Sequence, residues 1–321
     1  MQVVHDGRDK RYNAGMTLET LYGGVEAGGT KFVCCVASGP NHIVEEVRFA
    51  TTTPQETLRN TVQFFQPYVR ERRIQFIGVG CFGPLDLNSA SPSYGFITAT
   101  PKPGWSNTDV RGTLQQELNV PVAIDSDVNA AAVGEAMWGA SRGADPSLYL
   151  TIGTGIGGGY LKDGKPLIGL VNLEMGHIRI PHSRELDPFE GICPFHGDCF
   201  EGLASGPAIE KRLGLTGAVV PETDPYWDIE ADYIASALVN YILVLSPKRI
   251  ILGGGVMQRE FLFPKVRWRV RELLNGYVVS KTLLDNIGEY IVPPGLGNQS
   301  GSLGAIALAR QADERDNDPR I

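Results

Sequence analysis

The sequence predicts an α/β protein of about two domains. Strand-like and helix-like segments alternate along the chain, the pattern of sheets with helices packed on them. Its 321 residues are enough for about two cores. Glycine clusters also recur at the ends of apolar segments, where a strand has to turn sharply.

Residues 1–18 (MQVVHDGRDKRYNAGMTL) are polar and mixed in charge, without the apolar stretch of a secretory signal. Residues 1–21 are expected to be a disordered extension, and Met16 is also a sensible start. Residues 22–37 (YGGVEAGGTKFVCCVA) read as two strands joined by a Gly-rich turn. Cys34 and Cys35 are adjacent in the second strand, so they point to opposite faces and do not pair. Residues 56–70 form an amphipathic helix, and 76–82 (FIGVGCF) a buried strand ending at Gly83-Pro84. Residues 101–105 (PKPGW) are a loop, 110–118 a helix and 122–124 a short strand. Helix formers follow (NAAAVGEAMWGA), with Ser126 or Asp127 placed to cap the helix.

A second strand–Gly–strand unit spans 147–161, and Asp163-Gly164 signals a hairpin. The two such units hint at internal duplication. Residues 229–245 are a long helix, leading to the strand KRIIL (248–252) and then Gly253, Gly254 and Gly255. A last Gly-rich turn, 295–304 (GLGNQSGSLG), opens the helix AIALARQA.

Composition narrows the function classes. Hydrophobic residues at 42% and charged ones at 20% are ordinary for a soluble globular protein. A net charge of −7 argues against non-specific nucleic-acid binding. The longest apolar run, 233–246, is shorter than the roughly 20 residues of a membrane span. The five cysteines suit a reducing cytoplasm, with at least two of them better assigned to metal.

The stretch EMGHIRIPHSRELDPFEGICPFHGDCFE (174–201) gathers His177, Cys193, His196 and Cys199. Tetrahedral Zn²⁺ takes four N or S ligands, and CPFHGDC supplies three at C-x2-H-x2-C spacing. His177, 16 residues before Cys193, is far enough away for the loop to return and close the site. Two thiolates and two neutral imidazoles balance the charge. A loop with free thiols is the plain alternative. His182 is a substitute ligand if His177 points away, and otherwise a loop histidine; His42 belongs on the surface.

Four glycine clusters (Gly28-Gly29-Thr30-Lys31, 153–159, 253–255 and 295–304) could each cradle phosphate with backbone N–H groups or be a tight corner. None is a Walker A loop, and none is GxGxxG opening a helix. Asp127 follows a strand and begins a helix, where the helix dipole favours an ionised carboxylate; it is a general base or an N-cap. Asp125 is the competitor, two residues earlier and on the same face if the strand continues.

In combination these motifs resemble a known family. EAGGTK, TIGTGIGGG about 125 residues on, and IILGGGV about 100 further resemble the phosphate-1, phosphate-2 and adenosine loops of actin-like sugar kinases. With DSDVNAAAVGE between the first two and the Cys/His loop added, the chain resembles the ROK family, and within it the zinc-containing bacterial fructokinases. The resemblance runs from about Gly24 to Ala309.

That resemblance implies a two-domain actin-like (ribonuclease H-like) ATPase fold with a cleft between lobes. The small lobe would be 22–127 plus 301–321, and the large lobe 128–300 with the zinc loop at 177–199. It implies phosphorylation of D-fructose at its 6-hydroxyl by ATP, with Asp127 as the base. Glu26 stands where related kinases more often have an Asp that holds Mg²⁺ through water. Gly28, Gly29, Thr30 and Lys31 with Gly153, Thr154, Gly155 and Gly157 would cradle phosphate, and Gly253, Gly254 and Gly255 would lie against adenosine. Glu174, His177 and Glu201 would bind the sugar, with Gly83 and Pro84 closing its other side. His177 would use one ring nitrogen for structural Zn²⁺ and the other for a sugar hydroxyl. Ser126 departs from the Asn usual before the base in ROK glucokinases, which argues against a standard glucose kinase; mannose or glucose would be alternative substrates.

The family expectation is a homodimer. Some ROK relatives are repressors with a helix-turn-helix before the EAGGTK region, and the 21 residues before Tyr22 are too few for one. A zinc hydrolase would need an open metal position, which four protein ligands do not leave.

Overall fold

The computed structural model describes residues 20–317. Most of the N-terminal segment expected to be an extension lies outside them.

The first half builds one five-stranded sheet. β1 (Leu21–Ala27), β2 (Lys31–Gly39) and β3 (His42–Ala50) form an antiparallel meander. Helix α1 (Pro54–Arg70) follows, two residues earlier than the amphipathic pattern suggested, because Thr53 caps it and Pro54 sits at the tolerated first position. β4 (Ile74–Cys81) pairs parallel with β1. The short pair β5 (Phe96–Ile97) and β6 (Thr108–Asp109) leads into α2 (Val110–Leu118), and β7 (Val122–Ser126) closes the sheet beside β4. The strand order is β3-β2-β1-β4-β7.

α3 (Asp127–Trp138) leads to the second sheet: β8 (Ser147–Ile152), β9 (Ile156–Lys162) and β10 (Lys165–Pro166). Asp163 and Gly164 both adopt positive φ in the β9–β10 turn, as the hairpin signal required. The chain then runs through α4 (Phe200–Ala204), α5 (Gly206–Leu213) and α6 (Tyr226–Leu245) to β11 (Arg249–Gly253). α7 (Leu262–Leu274), α8 (Lys281–Leu284), α9 (Ile287–Tyr290), β12 (Ile291–Val292) and α10 (Ser300–Asp316) complete it. The second order, β10-β9-β8-β11-β12, repeats the first rank for rank, with the same antiparallel and parallel steps. The hinted duplication is therefore topological.

α10 returns to cover the first sheet, packing on β1, β2 and β4. Gly24 and Gly78 make room for it, since a Cβ on Gly78 would lie 1.9 Å from the Ala305 carbonyl oxygen. α1 packs on the opposite face, so adjacent Cys34 and Cys35 are buried towards Thr61 of α1 and Ser302 of α10 respectively. α3 lies on β8 and β9 and crosses α10 closely at Gly134 and Gly304. A Cβ on Gly304 would meet the Ala130 carbonyl oxygen at 2.2 Å. The Gly-rich stretch 295–304 does not end before the helix as the sequence suggested: α10 starts at Ser300, so its last glycines serve packing.

No helix among the described residues is long and apolar enough to cross a membrane.

Candidate active site

β7 ends at Ser126, and Asp127 is the first residue of α3. Ser126 is the N-cap, its Oγ accepting the Asn129 N–H at 3.2 Å. The capping role left open between the two residues thus falls to Ser126. Asp127 Oδ1 accepts the Val128 N–H at 2.9 Å. Burial nevertheless pushes its carboxyl up to about 6; the Val128 N–H opposes this, while Glu26 and Glu174 add to it.

Two cavities meet at Asp127 and Val128, which line both. The larger, about 710 Å³, is bordered by Gly83, Pro84, Ser126, Asn172, Glu174, His177 and Glu201. The smaller, about 340 Å³, is bordered by Glu26, Lys31, Arg48, Gly254, Gly255, Asn298 and Gly301.

Glu174 precedes the single helical turn Met175–His177, at the rim. Burial raises its carboxyl, His177 opposes that and Glu201 reinforces it. Glu201 lies in the first turn of α4, and its Oε2 accepts the Ile156 N–H at 2.9 Å. Burial raises Glu26 as well, partly offset by Lys31 and Arg48.

The glycines divide. Gly28 begins the β1–β2 turn, held by Gly28 N–H to the Lys31 carbonyl at 3.0 Å, and a Cβ at Gly29 would meet open space. Gly153 and Thr154 form the β8–β9 turn, with Gly153 close to the Gly255 nitrogen. Gly155 lies against Glu201 instead, and Gly157 borders the larger cavity through Val128. Gly253 lies under the Tyr149 hydroxyl, where a Cβ would stand 2.6 Å from it. Of the second glycine cluster, Gly157 therefore borders the larger cavity, and Gly253 serves packing.

Asp125 does not share a face with Asp127, because the chain turns from strand to helix between them. Its Oδ1 instead accepts the Ser126 N–H and Asn129 Nδ2, both at 2.7 Å. Asn129 Nδ2 also donates to Asn172 Oδ1 at 3.0 Å.

His177, Cys193, His196 and Cys199 converge, with ligand atoms all within 4.8 Å of one another. Both Sγ atoms face His177 Nδ1, at 3.8 and 3.6 Å, and Cys193 Sγ lies 3.6 Å from His196 Nδ1. Tetrahedral bonds of about 2.3 Å to sulfur and about 2.0 Å to nitrogen would separate S and N by roughly 3.6 Å. The donor set thus fits a four-coordinate metal. Reciprocal hydrogen bonds between Cys193 and Gly197 fold the turn, Gly197 taking a positive φ. His182 is not among these ligands: it is a buried loop histidine, its Nε2 donating to the Asp187 carbonyl at 3.0 Å.

Three residues here escaped the sequence reading. Arg48 lies on β3, an edge strand that was not identified. Asn172 carries no motif. Glu135, fully buried, sits in the quoted NAAAVGE run, but its role is tertiary. Its carboxylate accepts the N–H groups of Ala140, Gly295 and Leu296 and the Ser300 hydroxyl, all within 3.0 Å. It thereby fixes the loop that enters the smaller cavity.

Two matching sheets around a cleft, with a carboxylate between two cavities, define a two-domain actin-like α/β protein. Within that class the chain belongs to the ROK family, which it matches over residues 22–312. It is 45% identical to the fructokinase of Lactococcus lactis subsp. cremoris, covering 91% of this chain and 98% of that protein. It is 44% identical to the fructokinase of Zymomonas mobilis, covering 92% and 98%. Among solved structures, the ROK hexokinase of Thermus thermophilus superposes with a TM-score of 0.75 at 26% identity, over 92% of this chain and 99% of that one. The Streptomyces griseus ROK glucokinase solved with glucose and AMPPNP gives 0.71 at 26%, over 91% and 99%.

Proposed function

We propose that the protein transfers the γ-phosphoryl group of ATP to the 6-hydroxyl of D-fructose, with Asp127 as general base. The observation that carries this reading is the position of Asp127, where the two cavities meet. A hydroxyl held in the larger cavity would face the terminal phosphate in the smaller one across this carboxylate. The fructokinase relatives support the substrate, and Ser126 in place of the glucokinase Asn supports it against glucose.

Phosphoryl transfer asks mainly for positioning and charge compensation. Glu174, Glu201 and His177 hold sugar hydroxyls, and Asp127 takes the proton from the attacking one. Lys31 and Arg48, with the turn at Gly28, Gly29 and Thr30 and that at Gly153 and Thr154, face the phosphates. Gly254 and Gly255 lie against adenosine. Glu26 would hold Mg²⁺, which offsets phosphate charge when bound.

His177, Cys193, His196 and Cys199 would hold Zn²⁺ as a structural ion. Because His177 also borders the larger cavity, binding such an ion would fix a sugar-binding residue, and four protein ligands would leave no position for a water. Residues 22–127 with the C-terminal segment 301–317 act as one lobe and 128–300 as the other, closing on substrate to exclude water. A cytoplasmic homodimer completes the proposal.

The test is Mg²⁺-dependent ADP release from ATP over fructose, mannose, glucose and N-acetylated hexosamines. Fast turnover with fructose supports the reading. Preference for another hexose keeps the mechanism and removes the substrate, and silence across the panel in zinc-replete protein removes both.

A further inference from the structure

The larger cavity is rich in groups that only accept hydrogen bonds. Asp127, Glu174 and Glu201 all border it with carboxylates. They suit sugar hydroxyls, which can donate. They leave the ring oxygen of a cyclic hexose unserved, because that oxygen carries no hydrogen, and a desolvated acceptor without a donor costs free energy. A fixed donor on the same wall would answer the need.

Asn172 borders this cavity, two residues before Glu174. Its amide orientation follows from its neighbours. The Asp125 carboxylate accepts Asn129 Nδ2, so Asn129 turns its NH2 that way. The second hydrogen of the same NH2 meets Asn172 at 3.0 Å, which requires the Asn172 oxygen on that side. Asn172 Nδ2 then points away from Asn129 and makes no hydrogen bond among the described residues. Its two hydrogens are available to a ligand. Asp125 and Asn129 are buried, and the Ser126 N–H on Asp125 holds the carboxylate in turn. The donor is therefore oriented before any ligand arrives, which lowers the ordering cost of using it.

We propose that Asn172 is a substrate-binding residue whose side-chain NH2, set by the Asp125–Asn129 pair, donates to the ring oxygen of the bound hexose. This rests on the sugar-kinase reading above. His177, whose ring N–H also borders the cavity, and the hydroxyls of Thr100, Ser106 and Ser126 are left to sugar hydroxyls.

The experiment compares wild type with Asn172→Ala and Asn172→Asp, the second being isosteric and replacing the donor with an acceptor. Steady-state kinetics would use fructose, and binding would be measured by calorimetry with fructose and with its carbocyclic analogue, in which CH2 replaces the ring oxygen. Both variants are expected to keep the ATP KM within about twofold and to raise the fructose KM at least about tenfold, Asn172→Asp the more. The analogue is expected to bind wild type more weakly than fructose, and to bind Asn172→Ala no more weakly than fructose does. Equal fructose KM in all three proteins would overturn the role of Asn172. Independent, additive losses from the analogue and the variant would overturn the ring-oxygen contact. Wild type that neither binds nor phosphorylates any hexose would overturn this inference together with the kinase reading, and is distinguished from the other two outcomes by the wild-type rate alone.

Discussion

At Asp127 the Val128 N–H and the start of α3 favour a carboxylate, while burial and the nearby Glu26 and Glu174 oppose it. The balance, about 6, suits a group that has to accept a proton yet stay ionised near neutrality. With the carboxyl raised to about 6, the ionised form that the proposed mechanism uses is lost as pH falls through that value. The kcat/KM for fructose is expected to decline below about pH 6, with no matching decline on the alkaline side from this residue. Asp127→Ala is expected to lower kcat by about 10²- to 10⁴-fold, with sugar and nucleotide affinities by calorimetry largely kept. The sequence already marked Asp127, because the strand-to-helix change and the flanking motif are local. Asn172 and Arg48 were not legible, since each gains its role only when distant segments meet.

α3 carries the proposed base at one end and Glu135 at the other, so one helix would set both the chemistry and the loop beside the proposed nucleotide cavity. Removing the Glu135 carboxylate leaves the buried Ser300 hydroxyl and the part-buried N–H groups of Gly295 and Leu296 without their acceptor, at a cost of about 1–3 kcal/mol. Glu135→Ala should lower Tm and raise the ATP KM more than the fructose KM; the opposite order would remove Glu135 as the anchor of that loop. The Cys/His turn makes the converse prediction. Cys193→Ser, or chelation, should release about one zinc per chain by elemental analysis, with the fructose KM rising and the ATP KM little changed. Most of these elements could be read from periodicity and caps. The β3 edge strand could not, because its mixed charges mask the alternation, and the start of α10 was hidden by glycines that serve packing.

At the scale of the molecule, the two sheets repeat one strand order, and α3 and α10 cross between them on Gly134 and Gly304. Gly304→Val would push into the Ala130 carbonyl, and overpacking of this kind costs about 1–3 kcal/mol. It is expected to lower Tm, read by calorimetric melting, although residue 304 borders neither cavity. Length and alternation announced about two α/β domains, and the cleft was implied by the family resemblance that the motifs carry together. The crossing itself lay beyond pattern, since nothing local tells a glycine that turns the chain from one that admits a neighbouring helix.

The return of α10 also sets a timetable for biosynthesis. The first sheet is complete in sequence at Ser126, but the helix that covers one of its faces begins only at Ser300. At about 5–20 residues per second, a ribosome needs on the order of 10–35 s to make the intervening stretch. For that interval the nascent chain carries a strand-rich surface without its cover. Growing chains of this protein are therefore most exposed to aggregation, and most in need of a holding chaperone, while their second half is still being translated.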